Sequence, residues 1–222
     1  MSVYFITGAG TDIGKTYVTT LLVRQLKAAG RRVVALKPVV SGVSAIDSPD
    51  FATSDTAQLL AAQGLAITSA TVGACSPWRF RQPLSPDMAA AAEDQTVSLR
   101  AVLDWCRAQI EAAADGSVVL IEGVGGVMSP MTSDALNLDL IKALGCEVLL
   151  VTGSYLGALT HALTAIETLK AHDVAVKTVI LNESADSGVD FNTTLETLRR
   201  YAGPQPITTV GRGGVSAAIE LV

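Results

Sequence analysis

The sequence has 222 residues, of which 49% are hydrophobic and 17% are charged, with a mean hydropathy of +0.41. This composition excludes a disordered chain, and the length predicts one domain over residues 1–222. The formal net charge of −5 does not provide the broad basic surface of a nucleic-acid binder, so we expect no nucleic-acid partner. No apolar run approaches the ~18 residues that a membrane span needs, and the N-terminus does not read as a signal peptide. Three scattered cysteines favour a reducing compartment, so we expect a cytoplasmic protein.

Strand-like and helix-like segments alternate along the whole chain. Short runs rich in β-branched residues predict strands at residues 3–7, 32–37, 117–122, 147–152, 177–182 and 206–210. Apolar residues at helical spacing predict helices at residues 15–29, 56–63, 98–113 and 159–172. This alternation is typical of βαβ units, so we expect an α/β fold of three layers, with a mostly parallel sheet and helices on both faces. Residues 41–54 and 70–86 are expected to be long loops that contribute to ligand binding.

A glycine-rich loop follows the first predicted strand and precedes the first predicted helix. Residues 8–16 read Gly-Ala-Gly-Thr-Asp-Ile-Gly-Lys-Thr. Backbone N–H groups converge on a phosphate only where side chains do not block them, which explains the glycines. In such a P-loop the lysine reaches the β- and γ-phosphates, and the threonine hydroxyl binds Mg²⁺ at the helix N-terminus. The loop therefore predicts phosphate binding by Lys15 and Mg²⁺ binding by Thr16, the alternative being a turn without ligand. It names no reaction.

Charged residues stand at the ends of two other predicted strands. Glu122 ends an apolar strand before a glycine-rich stretch and is placed to hold Mg²⁺, directly or through water. Lys37 ends another strand, where a buried ammonium is unfavourable unless an anion pairs with it. We therefore interpret Lys37 as an anion holder on the substrate side, the alternative being a solvated strand-end lysine. Asp55 opens a predicted helix and is either a partner of the helix dipole or a third carboxylate for the metal.

Six motifs, in their order and spacing, resemble those of the dethiobiotin synthetase family over roughly the whole chain. They are the phosphate loop, Lys-Pro-Val-Val-Ser-Gly at 37–42, Ser-Asp at 54–55, Pro-Leu-Ser-Pro at 83–86, Glu-Gly-Val-Gly-Gly at 122–126 and Leu-Gly-Ala-Leu-Thr-His at 156–161. The resemblance implies a P-loop NTPase-like fold and an ATP-dependent carboxylase and cyclase of biotin synthesis. It further implies a homodimer that acts on 7,8-diaminopelargonic acid, CO₂ and Mg-ATP, with sites at the subunit interface.

The resemblance also implies a role for each matching residue. Three catalytic residues are expected: Lys15 at the phosphates and the carbamate, Lys37 at the carbamate and the transferring phosphoryl group, and Thr11. The nucleotide is expected to lie against Asp12, Ile13, Gly14, Lys15, Thr16, Tyr17 and, through its adenine, Asn182. Mg²⁺ is expected at Thr16, Asp55 and Glu122. The diamine head is expected among Thr11, Asp12, Lys37 and Ser41, and its distant carboxylate at Gly157, Ala158 and Thr160 of the partner subunit.

Other functions remain possible at this point. A switch or partitioning-type ATPase with no small-molecule ligase activity would share the fold. Such proteins carry a signature lysine at the place that Gly10 occupies here, which disfavours that alternative. A pure nucleotide-binding module is a third possibility. Residues 211–214 match no signature, so the C-terminal side of the nucleotide pocket stays unassigned.

Overall fold

The strands and helices described below come from a computed structural model, which describes residues 1–185, 188–212, 219 and 221. Of the unassigned segment 211–214, residues 213 and 214 lie outside the described residues. No helix in the described part of the chain has the length and apolar character needed to cross a membrane.

Parallel strands form the centre of the molecule. The strands are, in chain order, β1 Ser2–Gly8, β2 Val33–Leu36, β3 Val39–Ser41, β4 Trp78–Phe80, β5 Val118–Glu122, β6 Glu147–Gly153, β7 Val176–Asn182 and β8 Ile207–Val210. Six of them make one parallel sheet in the order β2-β5-β1-β6-β7-β8, and β3 and β4 form a separate parallel pair. The carboxyl ends of all six strands therefore meet at the same edge of the main sheet.

Helices cover both faces of this sheet. They are α1 Lys15–Ala28, α2 Asp55–Gln63, α3 Ser69–Cys75, α4 Pro86–Ala91, α5 Leu99–Ala112, α6 Asn137–Leu144, α7 Ala158–Ala171 and α8 Phe191–Tyr201, with a 3₁₀ helix at Pro49–Thr53. One buried cluster joins α1, α2 and α3 to Tyr4 and Ile6 of β1. The other cluster contains residues of α4, α5, α6, α7 and α8 together with Phe5, which lies between Tyr4 and Ile6 in β1. Because successive side chains of a strand point to opposite faces, the sheet is buried on both sides, and the expected three-layer fold is confirmed.

The expected long loops are partly wrong. Residues 70–86 contain most of α3 and all of β4, and the 3₁₀ helix lies within residues 41–54. The threonines at 68 and 71 form a capping box that starts α3, and Val72 and Cys75 bury its inner side. This helix is too short to show a helical period and contains Gly73, so the apolar pattern did not reveal it. The short strand β3 and helices α4, α6 and α8 were likewise not predicted.

Candidate active site

The glycine-rich loop joins β1 to α1 and is fixed by contacts from neighbouring strand ends. Gly14 precedes α1 with φ 88° and ψ 27°, a left-handed conformation that favours glycine. A side chain at this position would collide with that of Asn182, whose Nδ2 donates to the carbonyl of Ile13 at 3.0 Å. The N–H of Val127 donates to the carbonyl of Gly8 at 3.1 Å. The stretch after β5 and the last residue of β7 thus hold the two ends of the loop.

Lys15 is the first residue of α1 and reaches back over the loop. Its Nζ donates to the carbonyl of Gly10 at 2.8 Å, and the residue is only 6% exposed. Burial, and then repulsion from Lys37, lower the pKa of Lys15 from 10.5 to about 8. An anion beside this ammonium would oppose both effects. Such surroundings suit a lysine that binds phosphate.

Lys37 directly follows β2 and lies between two carboxylates. Leu36 pairs with Ile121 of the neighbouring β5, which brings Lys37 beside Glu122. Its Nζ donates to Oε1 of Glu122 at 2.8 Å and also to Oδ2 of Asp55. Burial opposes the charge of Lys37, but the carboxylates of Glu122 and Asp55 outweigh burial and raise its pKa to about 12. At 4% exposure it is not a solvated strand-end lysine, and its anionic partners in this structure are protein carboxylates.

The carboxylate of Glu122 is fully buried and receives hydrogen bonds from one face of α1. Thr16 donates its hydroxyl hydrogen to Oε1 at 2.6 Å, and Thr19 is within 2.7 Å of Oε2. With Lys37 also on Oε1, these donors replace the water that a buried carboxylate loses. Thr19 was not among the predicted site residues. The signal for it was its position three residues after Thr16, on the same helix face.

Asp55 is the first residue of α2 and is the solvent-exposed partner of Lys37, whose other partner, Glu122, is buried. Ser54 caps the helix by accepting from the N–H of Ala57 at 3.2 Å, which fixes the backbone around Asp55. Burial raises the pKa of Asp55, but the charge and hydrogen bond of Lys37 outweigh burial and hold it below its usual 3.8. Its side chain is 38% exposed. Asp55 is therefore ionised and accessible to a ligand, whereas Glu122 lies behind it.

Asp55 and Glu122 both accept from the ammonium of Lys37, and Thr16 donates to the same oxygen of Glu122. Within residues 1–185, 188–212, 219 and 221, no group of three or more His, Cys, Asp or Glu side chains could hold a metal ion. A cation here would thus use at most two carboxylates and a hydroxyl, and would take its other ligands from phosphate oxygens and water. Mg²⁺ prefers such a set of oxygen ligands, so the residues present fit this ion.

Three cavities of the described structure meet at the phosphate loop, and Thr11 and Asp12 line all of them. We call them by one lining residue each. The Asn182 cavity has a volume of about 860 Å³, the Ser41 cavity about 760 Å³, and the lysine cavity, which contains Lys15 and Lys37, about 350 Å³. A ligand in the Asn182 cavity and one in the Ser41 cavity would therefore approach each other beside two ammonium groups.

Most of the predicted site residues line these cavities. Ile13, Gly14, Tyr17 and Asn182 line the Asn182 cavity, Ser41 and Asp55 line the Ser41 cavity, and Lys15, Thr16 and Lys37 line the lysine cavity. In the described part of the chain, the predicted residues Glu122, Gly157, Ala158 and Thr160 line none of the three. Instead Tyr155, which was not predicted, lines the Asn182 cavity with its hydroxyl 2.8 Å from Nδ1 of His161.

The fold and the loop define a P-loop nucleotide-binding protein. A family model described as an AAA domain matches residues 2–212. Two solved structures of low identity share the fold. The MinD cell division protein of Aquifex aeolicus has a TM-score of 0.56, 12% identity and coverage of 95% of this chain and 82% of that chain. A ParA family ATPase from Chlorobium tepidum TLS has a TM-score of 0.54, 15% identity and coverage of 94% and 83%.

Relatives at higher identity narrow this class. The ATP-dependent dethiobiotin synthetase BioD of Methylobacterium nodulans is 53% identical over 214 residues, which span 96% of this chain and 95% of that protein. The proteins of the same name from Phenylobacterium zucineum and Caulobacter vibrioides are 44% and 43% identical, and cover 98% and 100% of this chain and 92% and 98% of their own lengths. The chain belongs to the dethiobiotin synthetase family.

Proposed function

We propose that this protein forms dethiobiotin from 7,8-diaminopelargonic acid, CO₂ and Mg-ATP, with release of ADP and phosphate. One observation carries the proposal. Two cavities, each large enough for a small molecule, share Thr11 and Asp12 and meet beside Lys15 and Lys37. A ligase that joins phosphoryl transfer to ring closure needs this arrangement, because both substrates must react at one point.

The reaction proceeds in three steps. One amine of the substrate captures CO₂ as a carbamate. A carbamate oxygen attacks the γ-phosphorus of ATP, which forms a carbamic-phosphoric anhydride and releases ADP. The second amine then attacks the carbamoyl carbon, which closes the cyclic urea and releases phosphate. The last step is intramolecular, so the protein accelerates it mainly by holding the chain in a reactive geometry.

Each of the two lysines binds a different anionic group of the reacting molecules. Lys15 binds the phosphate oxygens, since the one side-chain hydrogen bond it makes among the described residues goes to the neutral carbonyl of Gly10. Lys37 holds the carbamate and the transferring phosphoryl group. Its charge is secured by Asp55 and Glu122, so it remains an ammonium while negative charge develops beside it.

The remaining cavity residues hold the two substrates. The nucleotide lies along the Asn182 cavity against Asp12, Ile13, Gly14 and Tyr17. One N–H of the Asn182 amide donates to Ile13, and its other N–H and its carbonyl oxygen bind the adenine. The diamine occupies the Ser41 cavity, near Thr11. The hydroxyl of Ser41 donates to the carbonyl of Leu84 at 2.6 Å, which leaves its lone pairs free to accept from an amine.

Mg²⁺ belongs to the same proposal, with Thr16, Asp55 and Glu122 as its residues. Thr16 donates its hydroxyl hydrogen to Glu122, so the lone pairs of Oγ1 remain available to a cation. The ion would neutralise charge on the β- and γ-phosphate oxygens. Lys37 and a cation both use the oxygens of Asp55 and Glu122, so the position of Lys37 is linked to metal loading.

A homodimer would complete the site. The distant carboxylate of the substrate binds the N-terminus of α7 of the partner subunit, at Gly157, Ala158 and Thr160. Gly157 is the N-cap residue just before that helix, with φ 94° and no side-chain cap, so the first-turn N–H groups favour an anion. Leu156 beside it is 89% exposed, which suits a residue that a second subunit covers. A single domain over the whole chain and a cytoplasmic location complete the proposal.

The test is a direct product assay. Purified protein is incubated with Mg-ATP, bicarbonate and 7,8-diaminopelargonic acid, and the cyclic urea is measured by mass. We expect product and ADP in equal amounts, and neither without the diamine. ATP hydrolysis that ignores the diamine would contradict the proposal and favour a partitioning-type ATPase.

A further inference from the structure

Thr19 of α1 is a buried threonine whose hydroxyl contacts the carboxylate of Glu122 rather than solvent. It is 0% exposed, and its Oγ1 lies 2.7 Å from Oε2 of Glu122 and 2.9 Å from the carbonyl of Lys15. A hydroxyl carries one hydrogen, so only one of these acceptors can receive it at a time. The carboxylate is charged and closer, and it is the stronger acceptor. A threonine inside a helix usually bonds back to the carbonyl four residues earlier; here Glu122 takes the hydrogen.

Each carboxylate oxygen of Glu122 accepts a hydrogen bond from a different threonine of α1. Thr16 donates to Oε1 at 2.6 Å and Thr19 donates to Oε2 at 2.7 Å, from positions one helical turn apart. Two donors on one rigid helix fix both the position and the rotation of the carboxylate plane. Oε1 is thereby turned toward Lys37, at 2.8 Å, and Lys37 and Thr16 in turn line the lysine cavity.

We propose that Thr19 is a positioning residue for the reaction, acting through Glu122. Its hydroxyl holds Oε2 so that Oε1 keeps its orientation toward Thr16, Lys37 and the cation. This inference rests on the proposed function, because it takes Thr16 and Glu122 as the residues that hold Mg²⁺. Residues that orient metal ligands in this way are typically worth about 10–100-fold in metal affinity or activity.

The variants needed to test this role lie in the same helix. T19V keeps the shape of the side chain and replaces the hydroxyl with a methyl group, T19A removes both the hydroxyl and the methyl group, and T19S keeps the hydroxyl and removes the methyl group. T20V is the matched control, since Thr20 is also buried, at 4% exposure, and its hydroxyl donates to the carbonyl of Tyr17 at 2.8 Å, away from Glu122.

The measurement is Mn²⁺ binding to each purified variant with ADP, followed by electron paramagnetic resonance, together with the Mg²⁺ dependence of turnover. We expect T19V and T19A to weaken Mn²⁺ binding about 10–100-fold and to raise the Mg²⁺ requirement by the same factor. T19S and T20V should match the unmodified protein, and the KM for the diamine should be unchanged in all variants.

Several results would overturn the role of Thr19. One is unaltered Mn²⁺ binding in both T19V and T19A. Another is equal loss in T19S, which would mean that the methyl group and its packing matter instead of the hydroxyl. A third is equal loss in T20V. Should the expected Mn²⁺ differences appear in a protein that makes no dethiobiotin, the proposed function fails while the assignment of Thr19 holds.

Discussion

Replacing Lys37 with methionine tests whether the buried charges of the site depend on one another. K37M keeps most of the side-chain length and removes the ammonium. Glu122, at 0% exposure, would then keep two donors from the described part of the chain, Thr16 and Thr19, whereas Asp55 can turn toward water. Removing one partner of a buried ion pair costs about 3–5 kcal/mol, because the remaining charge is uncompensated.

The raised pKa of Lys37 reflects the same ion pairs and points in the same direction. Its rise from 10.5 to about 12 means that the folded protein favours the charged form by about 2 kcal/mol relative to the unfolded chain. This stabilisation is fully present at pH 7 and would be lost only as the pH rises from about 10.5 through 12. Both figures predict a substantial loss of stability for K37M, on the order of 10 °C in Tm for a chain of this length.

Thermal and urea unfolding at pH 7 would measure the change. The double variant K37M/E122Q removes both buried charges, so it should recover most of the lost stability. Turnover should fall about 10²–10³-fold in K37M and stay low in the double variant, since the charge that stabilises the transferring group is missing from both. K170M is the control, because Lys170 is 71% exposed in a 3.5 Å surface pair with Glu167. Its effect should stay below about 0.5 kcal/mol. A K37M protein as stable as the unmodified one would refute this reasoning.

Two further predictions concern the nucleotide side and the dimer. Lys15 loses its proton above about pH 8 in the free protein, so kcat/KM for Mg-ATP should decline above that pH. The decline in kcat should begin at a higher pH than the decline in kcat/KM, because bound phosphates raise the pKa of Lys15. A kcat/KM for Mg-ATP that stays constant up to about pH 9.5 would contradict this role of Lys15. For the dimer, mixing K37M with T160E should restore product formation, because one hybrid site then has Lys37 and an intact partner α7. T160E alone should be inactive and folded, since Thr160 is exposed, and failure of the mixture to recover any activity would argue against a shared site.

The main sheet was predictable from sequence because its strands are buried on both faces. Runs such as the residues of β5 are continuously apolar up to Glu122, and a glycine-rich turn follows at once. The phosphate loop was predictable for a similar reason, since backbone approach to a phosphate requires glycine at defined places. Both signals are local, so they need no knowledge of what lies across the fold.

The partners of the site residues depend on contacts that no local pattern records. Burial of Lys37 was expected, but its carboxylates come from residues 18 and 85 positions away in the chain. Thr19 was missed because a threonine inside a helix ordinarily bonds to its own backbone. Only the helix-to-strand geometry shows that its hydroxyl meets Glu122 instead.

The order of the strands explains how one loop lines two cavities. The phosphate loop follows β1, in the middle of the sheet, with β5 and β2 on one side and β6 and β7 on the other. The end of β7 supplies Asn182 to the Asn182 cavity, whereas the ends of β5 and β2 place Glu122 and Lys37 on the other side of the loop. Among these, β2 is the edge strand, paired only with β5 in the main sheet, so the chain after Lys37 is free to leave the sheet and line the Ser41 cavity. The chain that follows Lys37 thus leaves the main sheet and continues into the wall of the Ser41 cavity, which the proposed function assigns to the diamine.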